Sequence, residues 1–114
     1  MMTIETIKFL CRGDIMLAID HLVIVSKNPE KDAKNFSEKN EVTVVEGGKH
    51  ESWGTYNYLA FFKNDCYIEW LGIFDERLAR QRDNPLIQQT VRFLDRGKTG
   101  LMTYALRTNE LDKY

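Results

Sequence analysis

A histidine and a glutamate that interrupt two apolar, β-type runs are the residues whose types and spacing could do chemistry. His21 lies within residues 18–26, and Glu69 lies 48 positions later, within residues 66–74. A carboxylate in an apolar strand is costly to bury unless it is paired or bound to a cation. If the two strands pair, the imidazole and the carboxylate can meet on one face. They would then supply two ligands for Zn²⁺, Fe²⁺, Ni²⁺ or Mn²⁺.

Two simpler interpretations fit the same pair: a structural hydrogen bond between His21 and Glu69, or a glutamate at a sheet edge that faces water. Alternation along a strand predicts which neighbours share a face with each residue. On the His21 side it predicts Val23 and Val25, with the opposite face carrying Asp20, Leu22 and Ile24. On the Glu69 side it predicts Tyr67, Leu71 and Ile73.

Residues 47–54 are polar and marked by glycine, which predicts a loop before the next strand. The amides of Gly47-Gly48-Lys49-His50 could hold an anion, or the glycines could simply allow positive φ in a flexible turn. His50 could be an acid, a base or a ligand, or a solvated loop histidine. Asn57 is a pocket candidate because an amide inside a strand is disfavoured unless it has a partner.

The strands and helices that must position these side chains are predicted from the spacing of apolar residues and from the Gly, Pro and Asn residues that separate the runs. Strands are predicted from apolar, β-branched and aromatic runs at residues 18–26, 41–46, 55–62, 66–74 and 101–108. Asn28-Pro29 begins a helix that extends to about Lys39, and Asn84-Pro85 begins a second that stops at Arg96-Gly97. The charged segment 75–83 is predicted to be irregular or a loose helical turn. The order is therefore β-α-β-β-β, a linking helix, one more strand and the start of a helix at 109–112.

The last part of the chain faintly repeats the first. Residues 18–32, a strand followed by a cap and an acidic helix start, have the same shape as residues 101–113. The chain would then hold one complete repeat and the start of a second. The single helical turn of that second repeat could not bury its apolar face. The sequence thus predicts that the chain is a fragment, a truncated product or half of an assembly.

Composition excludes several classes of protein. The 114 residues suit one domain, and 43% hydrophobic and 29% charged residues with a net charge of −1 are ordinary for a soluble protein. No basic patch indicates nucleic acid, and no apolar run is long enough to span a membrane. The only cysteines are Cys11 and Cys66; a buried, reduced thiol is expected at Cys66, and with it a cytoplasmic location.

The N-terminal residues show no clear pattern. A clean strand begins directly after Met16, so Met16 is a candidate for the true start of translation. We expect residues 1–15 to form a poorly structured extension and residues 16–114 to form the domain.

Four short motifs together resemble a known family. They are Ile19-Asp20-His21-Leu22-Val23, Gly47-Gly48-Lys49-His50, Gly54-Thr55-Tyr56-Asn57 and Tyr67-Ile68-Glu69-Trp70-Leu71. In this order they resemble the glyoxalase-like domain of the vicinal oxygen chelate superfamily, and the resemblance covers residues 18–114. It implies an α+β fold in which a β-α-β-β-β module forms one half of a cupped sheet. The final strand and helix start would open a second module that is incomplete.

The resemblance also implies a site inside the cup. A divalent metal would chelate adjacent oxygens of a small molecule, with His21 and Glu69 as ligands and Glu69 as a possible base. Thr103 stands where the repeat would place a partner of His21, which departs from the family pattern, and Arg107 suggests an anionic ligand. The implied pocket residues are His50, Thr55, Asn57, Tyr67, Thr103 and Arg107.

Three functions remain open on this basis. The chain could be a metal-assisted isomerase, lyase or dioxygenase, a non-catalytic small-molecule binder of the same fold, or an inactive truncated product. Two protein ligands rarely hold a metal tightly, so the missing ligands would come from a second half-module or from another copy in a homodimer, paired through open strand edges.

Overall fold

The computed structural model describes residues 17–63 and 65–108. The predicted extension at residues 1–15, the candidate start at Met16 and the predicted helix start at 109–112 lie outside the described residues. The described chain contains five strands and three helices. In chain order they are β1 Leu17–Val25, α1 Pro29–Asn40, β2 Val44–His50, β3 Thr55–Phe61, β4 Tyr67–Ile73, α2 Glu76–Gln81, α3 Pro85–Asp95 and β5 Gly100–Thr108. The predicted α+β class and the β-α-β-β-β order are confirmed.

The five strands form one sheet in the order β2-β3-β4-β1-β5. Strand β3 is antiparallel to its two neighbours β2 and β4, β1 runs parallel to β4, and β5 runs antiparallel to β1. The connection from β1 through α1 and the hairpin therefore returns the chain to the side of β1. This places His21 and Glu69 on adjacent strands.

Helix α1 covers one face of the sheet, here called the outer face. Its Ala33 and Phe36 join a buried cluster whose sheet members are Leu22, Ala60, Ile68 and Trp70, together with Cys66 just before β4. The rings of Phe36 and Trp70 lie 5.3 Å apart at 58°. Burying a large apolar side chain stabilises a fold by about 1.5–3 kcal/mol, so this layer anchors the sheet.

The ends of α1 form as the sequence predicts. The Asn28 side chain accepts a hydrogen bond from the Lys31 amide at 3.2 Å, and Pro29 follows at the first helical position. Proline is suited there because its missing N–H would have no helical partner. Glu41 ends the helix in the left-handed conformation, with φ of 53°.

The charged segment after β4 is more ordered than predicted. Residues 76–81 form α2, with the Asp75 side chain accepting from the Leu78 amide at 3.0 Å. Arg80 binds Glu76 at 2.7 Å and Asp95 of α3 at 2.5 Å, which ties the two helices together. Of the two predicted alternatives the helical turn is the nearer one, because the cap and the ion pairs with α3 hold the segment as a short helix.

The face opposite α1, here called the inner face, carries the odd-numbered residues of β4. Ile73 on this face packs against Ala79, Ile87 and Val91. Helices α2 and α3 therefore cover one end of the inner face, the end where β4 finishes.

The first half of the predicted loop at 47–54 is strand, and residues 51–54 form the turn. β2 extends through Gly47 and Gly48 to His50, and its register on β3 shifts between Glu46 and Gly48. Gly48 has φ of 115°, a conformation that glycine adopts without a steric penalty. The glycines thus form a β-bulge, and residues 47–50 form neither the anion-holding loop nor the flexible turn that the sequence left open.

Cys66 is fully buried and disulfide-bonded, so the expected reduced thiol is wrong. Its partner lies outside the described residues. The cysteine argument for a reducing compartment therefore loses its support. Among the three described helices, none has the length and apolar character needed to cross a bilayer.

Gly72 lies where α1 begins above β4. A Cβ at this position would stand 2.7 Å from Pro29 Cγ and 3.1 Å from the Ser26 carbonyl oxygen. We expect Gly72→Ala to lower the free energy of unfolding by about 1–3 kcal/mol, because the start of α1 would have to move away from the sheet. Urea unfolding measures the change. Glu46→Ala, at an exposed position of β2, is the control and should stay within about 0.5 kcal/mol of the parent. Equal stability of the two variants would contradict the close approach.

Candidate functional site

His21 and Glu69 meet on the inner face. In the parallel pairing of β1 with β4, His21 lies opposite Tyr67 and Val23 lies opposite Glu69. The His21 Nε2 atom is 3.5 Å from Glu69 Oε1, and the two side chains are 18% and 11% exposed. The strands thus bring together two groups that are 48 positions apart in sequence, at a largely buried position that remains open to solvent on one side.

Asn57 holds the other oxygen of the carboxylate. Its Nδ2 donates to Glu69 Oε2 at 2.8 Å in a buried hydrogen bond. The Asn57 Oδ1 atom is buried and has no hydrogen-bond partner among the described residues. A Cβ on Gly47 would lie 1.9 Å from that oxygen, so the bulge glycine leaves the room that the amide occupies.

Asp20 contacts His21 from a position that strict alternation does not allow. The register of β1 on β5 shifts between Ile19 and His21, which leaves Asp20 as the extra residue of a β-bulge. Asp20 Oδ2 lies 2.8 Å from His21 Nδ1. The prediction that Asp20 faces away from His21 was therefore wrong, because alternation assumes an uninterrupted ladder.

Two aromatic rings form one wall beside the imidazole. The Tyr67 ring stacks on His21 with centroids 4.5 Å apart and planes within 4°, and the exposed Phe61 ring lies 5.3 Å from Tyr67. Burial raises the pKa of Tyr67, and the carboxylates of Asp20 and Glu69 raise it further. The phenol therefore stays neutral at physiological pH and can donate a hydrogen bond.

The remaining predicted pocket residues are dispersed along the sheet. His50 and Thr55 pair at the far end of the β2–β3 hairpin, where the His50 Nδ1 atom lies 2.8 Å from Thr55 Oγ1. Thr55 lies four positions from Leu59, the partner of Glu69, which is about 13 Å along a strand. Thr103 lies opposite Val23 on β5, on the strand that borders His21, and Arg107 lies farther along the same strand.

The donor atoms can be tested against the geometry of a divalent metal. In a tetrahedral site with metal–nitrogen and metal–oxygen distances of about 2.0–2.1 Å, two ligand atoms are about 3.3 Å apart. The 3.5 Å between His21 Nε2 and Glu69 Oε1 fits such a pair. Within residues 17–63 and 65–108, no group of three or more His, Cys, Asp or Glu side chains could hold a metal ion. The described chain thus offers two ligand positions.

Sequence reasoning missed Asp20 and Gly47 as parts of this site. Both lie at bulges, and the local sequence does not indicate a bulge because it depends on the register of the partner strand. A signal was available for Gly47 in its neighbouring glycine, since strand glycines often mark a bulge or a close approach. For Asp20 the only signal was its position next to the candidate ligand.

Sequence comparison identifies a family. The profile of a family described as a glyoxalase-like domain matches residues 19–114, which is most of the chain. A comparison with curated proteins found no significant match.

Solved structures share the fold at low sequence identity. A hypothetical protein from Staphylococcus aureus superposes with a TM-score of 0.63 and 19% identity, over 87% of this chain and 39% of that one. Methylmalonyl-CoA epimerase from Mycobacterium tuberculosis gives 0.64 and 16%, over 90% and 63%. The Streptomyces coelicolor epimerase in complex with 2-nitronate-propionyl-CoA gives 0.63 and 15%, over 87% and 65%.

The chain spans less than two thirds of the length of each of these three structures. At such identities the likeness establishes the fold alone. The family follows from the sequence profile, which matches the same residues that form the sheet with His21 and Glu69 on its inner face. The chain therefore belongs to the glyoxalase-like domain family.

Proposed function

We propose that this domain binds a divalent metal between His21 and Glu69 and uses it to act on a small molecule with adjacent oxygen atoms. The observation that carries the proposal is the 3.5 Å approach of His21 Nε2 to Glu69 Oε1 on the inner face. A direct hydrogen bond at that separation would be weak. The Asn57 amide that binds the other oxygen is neutral, and a cation held by both His21 Nε2 and Glu69 Oε1 would balance the charge of this buried carboxylate.

Each residue has a distinct task in this proposal. His21 and Glu69 hold the cation, which supplies Lewis-acid polarisation of a substrate oxygen when bound. Asn57 fixes the orientation of the Glu69 carboxylate through Oε2. Glu69 is also the proposed proton acceptor, because it is the carboxylate that lies within the inner face. Tyr67 and the exposed Phe61 form an apolar wall that a substrate would contact.

An isomerase-type reaction is favoured among the chemistries open to this family. Several of the similar structures are methylmalonyl-CoA epimerases, and one was solved with methylmalonyl-CoA. Removal and return of a proton beside a carbonyl requires a base and a polarised oxygen, and the proposed site has a residue for each task.

Metal binding tests this proposal. We expect the metal-depleted full chain to bind Zn²⁺, Ni²⁺ or Mn²⁺ at close to one ion per complete site. His21→Ala and Glu69→Ala should each lower the affinity at least tenfold, because each removes one of two protein ligands. Equilibrium dialysis followed by elemental mass spectrometry gives both quantities.

His50→Ala is the matched control, since His50 is the other histidine of the chain and is paired with Thr55. It should bind metal as the parent does. Retention of metal by either His21→Ala or Glu69→Ala would remove that residue from the site. A parent chain that binds no metal, yet is stabilised by small organic ligands, would instead support a non-catalytic binder.

We further propose that the site is completed by a second copy of the chain, joined at β5. In the described residues β5 pairs only with β1, so its other edge is free. Leu101, Tyr104 and Leu106 of β5 are each at least half exposed. Their partners on β1 are the outer-face residues Ile24, Leu22 and Ile19. They therefore lie on the outer face, beside a groove of about 630 Å³ that Phe36, Trp70 and Leu101 help to line. Exposed apolar side chains on a free edge strand favour pairing with another chain.

The oligomeric state tests this second proposal. We expect a dimer in sedimentation equilibrium, and Tyr104→Lys should shift it towards monomer by at least tenfold in the dissociation constant, because it places a charge in the contact. Val45→Lys is the control: Val45 is also exposed, but it lies on β2 at the opposite edge of the sheet. A monomeric parent chain would overturn the proposed dimer, and so would equal effects of the two lysines.

A further inference from the structure

Asp20 is held against His21 by a departure from regular strand structure. Without the bulge, alternation would turn the Asp20 carboxylate towards the outer face, where Leu22 and Ile24 contact the apolar core. The bulge leaves one residue of β1 unpaired on β5 and brings the carboxylate beside Nδ1. A feature that interrupts a ladder to aim one side chain is often part of a site.

We propose that Asp20 is the positioning residue that fixes the tautomer of His21, so that the Nε2 lone pair faces Glu69. An ionised carboxylate can only accept hydrogen bonds. At 2.8 Å from Asp20 Oδ2, the Nδ1 atom must therefore carry the proton. The neutral imidazole then has its lone pair on Nε2, the atom that points to Glu69 Oε1.

The lengths of the two contacts decide between the tautomers. Nδ1 is 2.8 Å from Asp20, within the range of a good hydrogen bond, whereas Nε2 is 3.5 Å from Glu69, beyond it. A proton on Nε2 would leave two acceptors, Nδ1 and Asp20 Oδ2, in contact. The geometry thus favours Nδ1–H and leaves two acceptor atoms, Nε2 and Oε1, 3.5 Å apart, a separation that two ligands of one metal ion can have.

Tyr67 and Asp20 restrain different motions of the same ring. The stacked Tyr67 ring fixes the plane of the imidazole, but stacking does not distinguish the two nitrogens. Asp20 distinguishes them because it contacts one edge of the ring only. A histidine whose second nitrogen donates to a carboxylate is oriented for its ligand and more basic towards it. The effect of Asp20 on metal affinity rests on the proposed function, whereas its effect on the tautomer does not.

The tautomer can be measured in the metal-free full chain by long-range ¹H–¹⁵N NMR, which shows which ring nitrogen carries the proton. The chain has two histidines, so two sets of ring signals are expected, and His21→Ala assigns them. In the parent, the His21 ring should be mainly the Nδ1–H form. In Asp20→Asn the signals should shift towards Nε2–H, because the amide can donate to Nδ1 and Glu69 can accept from Nε2.

Two further variants separate positioning from charge. Glu38→Gln removes one negative charge at an exposed position of α1 and should leave the His21 tautomer unchanged. Asp20→Glu keeps a carboxylate and should retain the Nδ1–H form in larger part than Asp20→Asn. A parent ring that is mainly Nε2–H would overturn the proposal by itself, whatever the stability of the variants. An Asp20→Asn ring with the parent tautomer would overturn it as well.

Metal affinity gives the second readout. If the parent binds metal, Asp20→Asn should weaken binding by about 10- to 100-fold, measured by competition with a chromophoric chelator, and Glu38→Gln should not. A parent chain that binds no metal would contradict the proposed function, whereas the tautomer measurement would still test the proposed role of Asp20. If the parent binds metal, and Asp20→Asn has the same metal affinity and the same His21 tautomer as the parent, only the proposal for Asp20 is contradicted.

Discussion

The carboxylate of Glu69 is the constraint on which the arrangement of this domain depends. It is withdrawn from water in the middle of the sheet, where an unpartnered charge would be strongly destabilising. One oxygen is held by the Asn57 amide from β3, and the other faces His21 from β1. Because β4 lies between those two strands, both partners reach Glu69 only if β1 pairs with β4 in the observed register.

The two faces of the sheet have different roles: the outer face carries the apolar core and the inner face carries the polar site. The outer face is sealed by α1 through Phe36, Ala33 and their apolar neighbours, which supplies the stability of a small domain. The inner face keeps polar groups together at its open part, while α2 and α3 cover one end. Two bulges, at Asp20 in β1 and at Gly47 in β2, adapt the inner face without disturbing the outer core.

The site is asymmetric because, in the described part of the chain, only one strand lies beyond β1 on the side away from β4. β1 is flanked on one side by β4, which carries Glu69, and on the other by β5, which presents Ala105 opposite His21 and Thr103 opposite Val23. Neither residue has a side chain that commonly binds transition metals. The similar structures are longer than this chain, and the free edge of β5 is the place where a further set of strands could continue the sheet.

The sequence by itself determined the strands, the capped helices and the pair His21 and Glu69, because strand period, Asn-Pro caps and a charge in an apolar run are local signals. The tertiary structure alone decided that β2 continues through the glycines, that Asp20 turns to His21, and that Cys66 is disulfide-bonded. A bulge is fixed by the register of two strands distant in sequence, and a disulfide by which sulfur atoms the fold brings together. His50 and Asn57 looked equally polar in the sequence; only the sheet placed Asn57 against Glu69 and His50 at the far end of the hairpin.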